Sequence, residues 1–139
     1  MVAVPVPLLF MNTKILVVED ELSQREALAE VLSRLGYEVQ CAANGSEALE
    51  LMRHSESLPG LILLDLMMPV MDGWEFRAEQ RKDRTLAEVP VVILSALDDT
   101  AQKTVQDGAA AFLSKPLHWQ ALLHVIERFC GTTRPRPGV

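Results

Sequence analysis

A chain of 139 residues, 49% hydrophobic and 23% charged, has the size and balance of a single globular domain. Its formal net charge of -6 argues against a nucleic-acid surface, since such surfaces concentrate Lys and Arg against phosphate. Cys41 and Cys130, the two cysteines, lie far apart with no Cys or His at metal-ligand spacing, which points to a reduced, cytoplasmic protein without a zinc site.

The opening stretch MVAVPVPLLF is apolar, yet too short to span a bilayer. It is broken by Pro5 and Pro7 and lacks the basic region and cleavage site of a secretory signal. Residues 1–12 therefore read as a flexible extension, with Met1 or Met11 as the natural start, and no membrane partner is expected. The domain is expected over 13–130. The tail 131–139, rich in Gly, Pro and Arg, stops a helix and builds no core.

Within the domain two periodicities alternate. KILVV (Lys14 to Val18) is a short apolar run suited to a buried strand, and a helix follows Glu21, with Leu28, Val31, Leu32 and Leu35 at helical spacing before Gly36. YEVQCA (Tyr37 to Ala42) alternates apolar and polar residues, as a strand at a sheet edge would. Asn44 and Glu47 form a capping pair for a second helix through Ala48, Leu49 and Met52. LILL (Leu61 to Leu64) is the third strand; the helix after Asp72 or Gly73 should carry Trp74 and Ala78 inward. VVIL (Val91 to Leu94) is the fourth strand, and a weak helix spans Asp98 to Gln106 with Ala101 and Val105 to bury. AAAFLS (Ala109 to Ser114) is the fifth, and the last helix, after Pro116, has Trp119, Leu122, Leu123 and Ile126 on one face. Five strand–helix alternations predict an α/β fold, a doubly wound parallel sheet with helices on both faces.

Such sheets bind ligands beyond the C-terminal ends of their strands. The third apolar run ends there on Asp65, a carboxylate at the rim of a core, which is costly unless something compensates it. Glu19, Asp20 and Glu21 follow the first strand, Ser95 the fourth, and Lys115 and Pro116 the fifth. Asp65 facing Glu19 and Asp20 calls for a cation, and a hard divalent ion such as Mg²⁺ takes oxygen ligands of this kind. Lys115 and Ser95 then supply a point charge and a hydroxyl for an anion beside it, phosphate being the obvious one. Taken singly, the acidic run would be a favourable helix start, Ser95 a cap, and Lys115 a solvated lysine. Their convergence is what distinguishes them. Met67 and Met68 read as gap filling in the core, and Phe112, His54, His118 and His124 carry no site signature of their own.

EDE (Glu19 to Glu21), DLMMPVMDG (Asp65 to Gly73), LSA (Leu94 to Ala96) and LSKP (Leu113 to Pro116), in this order and spacing, resemble the receiver domain of two-component response regulators, over Lys14 to Phe129. The resemblance implies a flavodoxin-like three-layer sandwich with strand order 2-1-3-4-5. It implies a stand-alone signalling protein rather than a turnover enzyme. Asp65 would accept a phosphoryl group from a histidine kinase or phosphotransfer protein. Asp20 would bind Mg²⁺ directly, Glu19 through water and Met67 through its backbone carbonyl, while Lys115 would pair with the phosphoryl oxygens. Pro69 and Gly73 would shape the loop. Ser95 and Phe112 would form the switch, and a downstream protein would dock on the face built by Asp98 to Gln106, the fifth strand and the last helix. Direct nucleic-acid binding is not expected.

Three other readings fit less well. A haloacid-dehalogenase-type phosphatase needs a second Asp two residues after the nucleophile, where Met67 stands. A flavodoxin-like cofactor binder needs a Ser/Thr/Gly-rich phosphate loop where EDE would repel the phosphate. A degenerate receiver acting as a phosphorylation-independent scaffold would lack a site residue, and none is missing.

Overall fold

Parallel strands covered on both faces must be apolar throughout, and the runs rich in Val, Ile and Leu meet that demand. The structure, a computed structural model, describes residues 12–96, 103 and 107–131. The strands are β1 (Lys14–Val18), β2 (Glu38–Ala42), β3 (Leu61–Asp65), β4 (Val91–Ser95) and β5 (Ala111–Ser114). They form one parallel sheet in the order β2-β1-β3-β4-β5. The described helices are α1 (Leu22–Arg34), α2 (Gly45–Arg53), α3 (Gly73–Lys82), α4 (Arg84–Ala87) and α5 (Trp119–Cys130).

Alternation along each strand divides the core in two. Leu16, Val18, Ile62, Leu64, Val91 and Ile93 face α2 and α3, where Ala48, Leu49, Met52 and Phe76 close over them. Ile15, Val17, Leu61, Leu63, Val92 and Leu94 face α1 and α5, meeting Leu28, Leu32, Leu122, Ile126 and Cys130. Each Val, Leu, Ile, Met or Phe side chain among these, withdrawn from water, contributes on the order of 1.5–3 kcal/mol. As expected from its alternating pattern, β2 is an edge strand, and β5 is the other edge, half-buried rather than buried.

Local signals start the helices where the sequence places them. Asn44 Oδ1 accepts from Glu47 N–H at 2.9 Å at the start of α2. Asp72 and Glu75 form a reciprocal capping box on α3. Gly36, at φ 98°, ends α1 in the left-handed conformation that costs glycine least. Tyr37 lies outside β2 but is buried, and its hydroxyl donates to the Gly131 carbonyl at 2.5 Å, tying the end of α5 to the turn after α1.

Several expectations need correction. Ala78 is exposed and Trp74 half-buried; the inward stripe of α3 is Gly73, Phe76, Arg77 and Gln80, because the helix begins at Gly73 and spacing counts from there. Met67 is 64% exposed, so only Met68 fills the core. Trp119 is exposed at the start of α5, leaving Leu122 and Ile126 as that helix's buried anchors. The turn α4 was not anticipated; Asp83 caps it through Thr85 and Leu86 N–H, and it buries Leu86. The helix expected over Asp98 to Gln106, with Ala101 and Val105, lies outside the described residues except at Lys103. No described helix is long and apolar enough to cross a membrane.

Candidate functional site

The sheet register places the carboxylates. Val18 of β1 pairs with Leu64 of β3, so the next residues, Glu19 and Asp65, emerge side by side at the C-terminal edge. Glu19 stays in line because its N–H donates to the Ala42 carbonyl at 3.0 Å. Arg25, one turn into α1, donates to the Glu19 carbonyl at 2.8 Å and steadies the same loop. Ligand oxygens of Glu19, Asp20 and Asp65 lie within 4.8 Å of one another, with Glu19 and Asp65 buried and Asp20 exposed. An all-oxygen carboxylate set of this kind could hold a hard metal ion.

Lys115 follows β5, and its backbone N–H donates to the Ser95 carbonyl at 2.9 Å, which carries it to the same edge. Its Nζ stands 3.5 Å from Asp65 Oδ1 and 3.4 Å from Glu19 Oε2. One cation therefore faces two buried carboxylates. Burial, with Asp65 as neighbour and hydrogen-bond partner, pushes Glu19 up to about 7, and Lys115 opposes that rise only in part. On the other side Met67 N–H lies 3.4 Å from Asp65 Oδ1. Gly73 sits so close to the strand end that a Cβ would come within 2.9 Å of the Asp65 carbonyl and 2.7 Å of Leu66 Cδ2. Only glycine lets α3 start that near the backbone at the end of β3.

Ser95 is fully buried at the end of β4, next to Ser114 in the register. Phe112 pairs with Ile93, two residues before Ser95, and packs half-buried against the core on the α2–α3 side. Glu19, Asp20, Asp65, Met67, Ser95 and Lys115 thus gather at one edge, with Phe112 a short step away. Gln24 was not singled out from sequence, yet its Oε1 accepts from Lys115 Nζ at 2.9 Å. Its position in the first turn after the acidic run was the available signal. Beside it lies a depression of about 490 Å³ lined by Glu19, Gln24, Leu28, Leu94, Lys115 and Trp119, among others.

Comparison with known proteins decides the family. The sequence model of the response regulator receiver domain matches residues 15–127. The chain belongs to this family. Over 105 residues, 74% of the chain, it is 42% identical to a probable transcriptional regulator of Cyanophora paradoxa, and over 130 residues, 92% of the chain, 35% identical to the response regulator MprA of a Mycobacterium strain. It spans only 42% and 55% of those proteins' lengths. A chemotaxis response regulator of Vibrio cholerae superposes with TM-score 0.74 at 32% identity, covering 84% of this chain and 97% of that one. The receiver domain of a Pseudomonas aeruginosa sensor histidine kinase, whose structure has a magnesium ion coordinated in the active-site cleft, does so with TM-score 0.75 at 29% identity, covering 86% and 98%. This receiver domain therefore has the expected flavodoxin-like fold and belongs to two-component signalling. The absence of a nucleic-acid partner, expected from net charge, finds no support beside a relative described as a transcriptional regulator.

Proposed function

We propose that this receiver domain accepts a phosphoryl group on Asp65 from the phosphohistidine of a histidine kinase or phosphotransfer protein, and signals through Ser95 and Phe112 to a downstream protein. The observation that carries the reading is the meeting of Glu19, Asp20 and Asp65 within 4.8 Å, with Lys115 3.5 Å from Asp65. An Asp65 oxygen attacks phosphorus in line. The P–N bond breaks, its electron pair stays on the imidazole, and an acyl phosphate forms on Asp65. Lys115 draws the phosphoryl oxygens toward the edge of the sheet as charge shifts onto them.

The donor set fits Mg²⁺: every side-chain ligand is a carboxylate, and a single ammonium, that of Lys115, stands against the buried pair Glu19 and Asp65 with Asp20 beside them. Asp20, Asp65, the Met67 carbonyl and Glu19, the last through water, would hold the ion. When bound, it supplies positive charge against the phosphoryl oxygens and the carboxylates. The phosphoryl group draws the Ser95 hydroxyl toward it, and Phe112 moves into the space behind the end of β4. Phe112 has no hydroxyl, so packing alone sets its position.

A small phosphodonor such as acetyl phosphate tests the reading. The expected result is a mass gain of one phosphoryl group with Mg²⁺ present, absent after chelation and absent in Asp65→Asn. Equal labelling of Asp65→Asn without metal would overturn it.

A further inference from the structure

Gln24 stands at the third position of α1, where a glutamine ordinarily reaches back to the helix's own first turn. Here α1 has no side-chain cap at Glu21, and the Gln24 carboxamide is turned to Lys115 instead. At 2.9 Å this contact is shorter than those of the same ammonium to Glu19, 3.4 Å, and Asp65, 3.5 Å. An ammonium carries three N–H donors and no acceptor; here it donates to Gln24 and to Glu19 and makes an ion pair with Asp65. Lysine has a long, flexible stem, and three partners from three different parts of the chain hold its tip in one place.

The three partners are not equivalent. Glu19 and Asp65 are buried acids, whereas Gln24 is uncharged and exposed. When phosphoryl oxygens arrive beside Asp65, Lys115 must turn a donor toward them. The Gln24 contact gives way most readily, because water replaces a neutral, exposed partner and no buried charge is stranded. We propose that Gln24 is a positioning residue, a neutral and exchangeable acceptor that holds Lys115 beside Asp65 before phosphorylation and releases it to the phosphoryl group as transfer begins. The inference rests on the phosphoacceptor reading above and extends it to a residue outside the acid, lysine and serine set.

The test is a double-mutant cycle on the full chain: wild type, Gln24→Met, Lys115→Ala and the double variant, with thermal melting to confirm that each folds. Methionine keeps the length of glutamine and removes the acceptor. Gln24→Met should lower the maximal rate of Asp65 phosphorylation by acetyl phosphate about three- to tenfold with Lys115 present, the range expected when one long side chain must be ordered anew during transfer, and less than about twofold in Lys115→Ala. Gln24→Glu, a charged rival for the ammonium, should lower the rate further. The Lys115 ¹⁵Nζ resonance of the metal-free protein should also move in Gln24→Met. An equal factor in both backgrounds, an unchanged rate with Lys115 present, or an unmoved resonance would overturn the proposal while leaving Asp65 phosphorylation intact. If the wild-type chain took no phosphoryl group, the reading itself would fall and this inference with it.

Discussion

At Val70 the backbone has φ 70°, and Met71 N–H donates to the Pro69 carbonyl at 2.8 Å, closing a γ-turn around a β-branched residue. Positive φ costs an L-residue roughly 1–2 kcal/mol and glycine almost nothing. Val70 is 81% exposed, so truncation forfeits little burial. Glycine's greater freedom in the unfolded chain returns about 0.5–1 kcal/mol of the benefit. Val70→Gly should thus raise stability by about 0.5–1 kcal/mol, read as a higher urea midpoint; a lower midpoint would show the turn is unstrained. Glu19 links stability to pH. Its carboxyl is raised from 4.5 to about 7 by burial and by Asp65, so between those values the folded chain keeps a proton that the unfolded chain has lost. Unfolding then releases a proton, and metal-free stability should fall as pH rises from about 4.5 to about 7. Cation binding needs the ionised form, so Mg²⁺ affinity should rise over the same window. Denaturation and Mg²⁺ titrations across pH check both slopes, and Glu19→Gln should flatten this contribution.

The α3 helix carries a charge into the core. Arg77 Nε lies 2.6 Å from Asp107 Oδ2, both side chains at least nine-tenths buried, and Arg77 Nη1 donates to Gln80 Oε1 at 2.7 Å. Gln80 passes the network on, donating to the Leu86 and Val89 carbonyls and pinning the turn before β4. Arg81 also reaches Asp107, at 3.4 Å, but is 49% exposed. Removing one partner of a buried pair strands the other, at a cost of about 3–5 kcal/mol, whereas exposed pairs are worth about 0–1 kcal/mol. Arg77→Ala should therefore destabilise by about 3 kcal/mol and Arg81→Ala by less than about 1 kcal/mol in chemical denaturation. If Arg77→Met combined with Asp107→Leu proved no more stable than Arg77→Ala, the stranded charge would not be the cause.

Across the whole molecule the two sheet faces have different tasks in the proposed reading. Glu19 and Asp65 continue the alternation of the α1–α5 face, while Ser95 and Phe112 belong to the α2–α3 face. A signal at Asp65 must therefore cross the sheet through Ser95. The bias available is only the difference in phosphate contacts between two states, which favours a graded shift of population over an all-or-none change. Beryllofluoride with Mg²⁺ should move the NMR resonances of Ser95, Phe112 and the rest of β5. Large shifts confined to Leu22–Leu35 would refute that route.

Sequence by itself determined the strand–helix alternation, because burial on both faces demands unbroken apolar runs, and it determined which polar residues end those runs. The motifs were enough to bring Glu19, Asp20, Asp65, Ser95 and Lys115 together, since parallel strands present their C-terminal ends on one edge. Helix faces were harder to read. Ala78 and Met67 were misplaced because apolar character does not tell which way a side chain turns once capping sets the first residue of a helix or a loop leaves the sheet. Arg77 and Gln80 lie on the inward stripe at Gly73's spacing, but a buried cation makes sense only when Asp107, thirty residues later, is seen to meet it. The Gln24–Lys115 contact spans 91 residues and the Lys115–Glu19 contact 96. Tertiary structure alone decided such pairings, because a side chain's partner depends on register and crossover geometry, which no local stretch of sequence encodes.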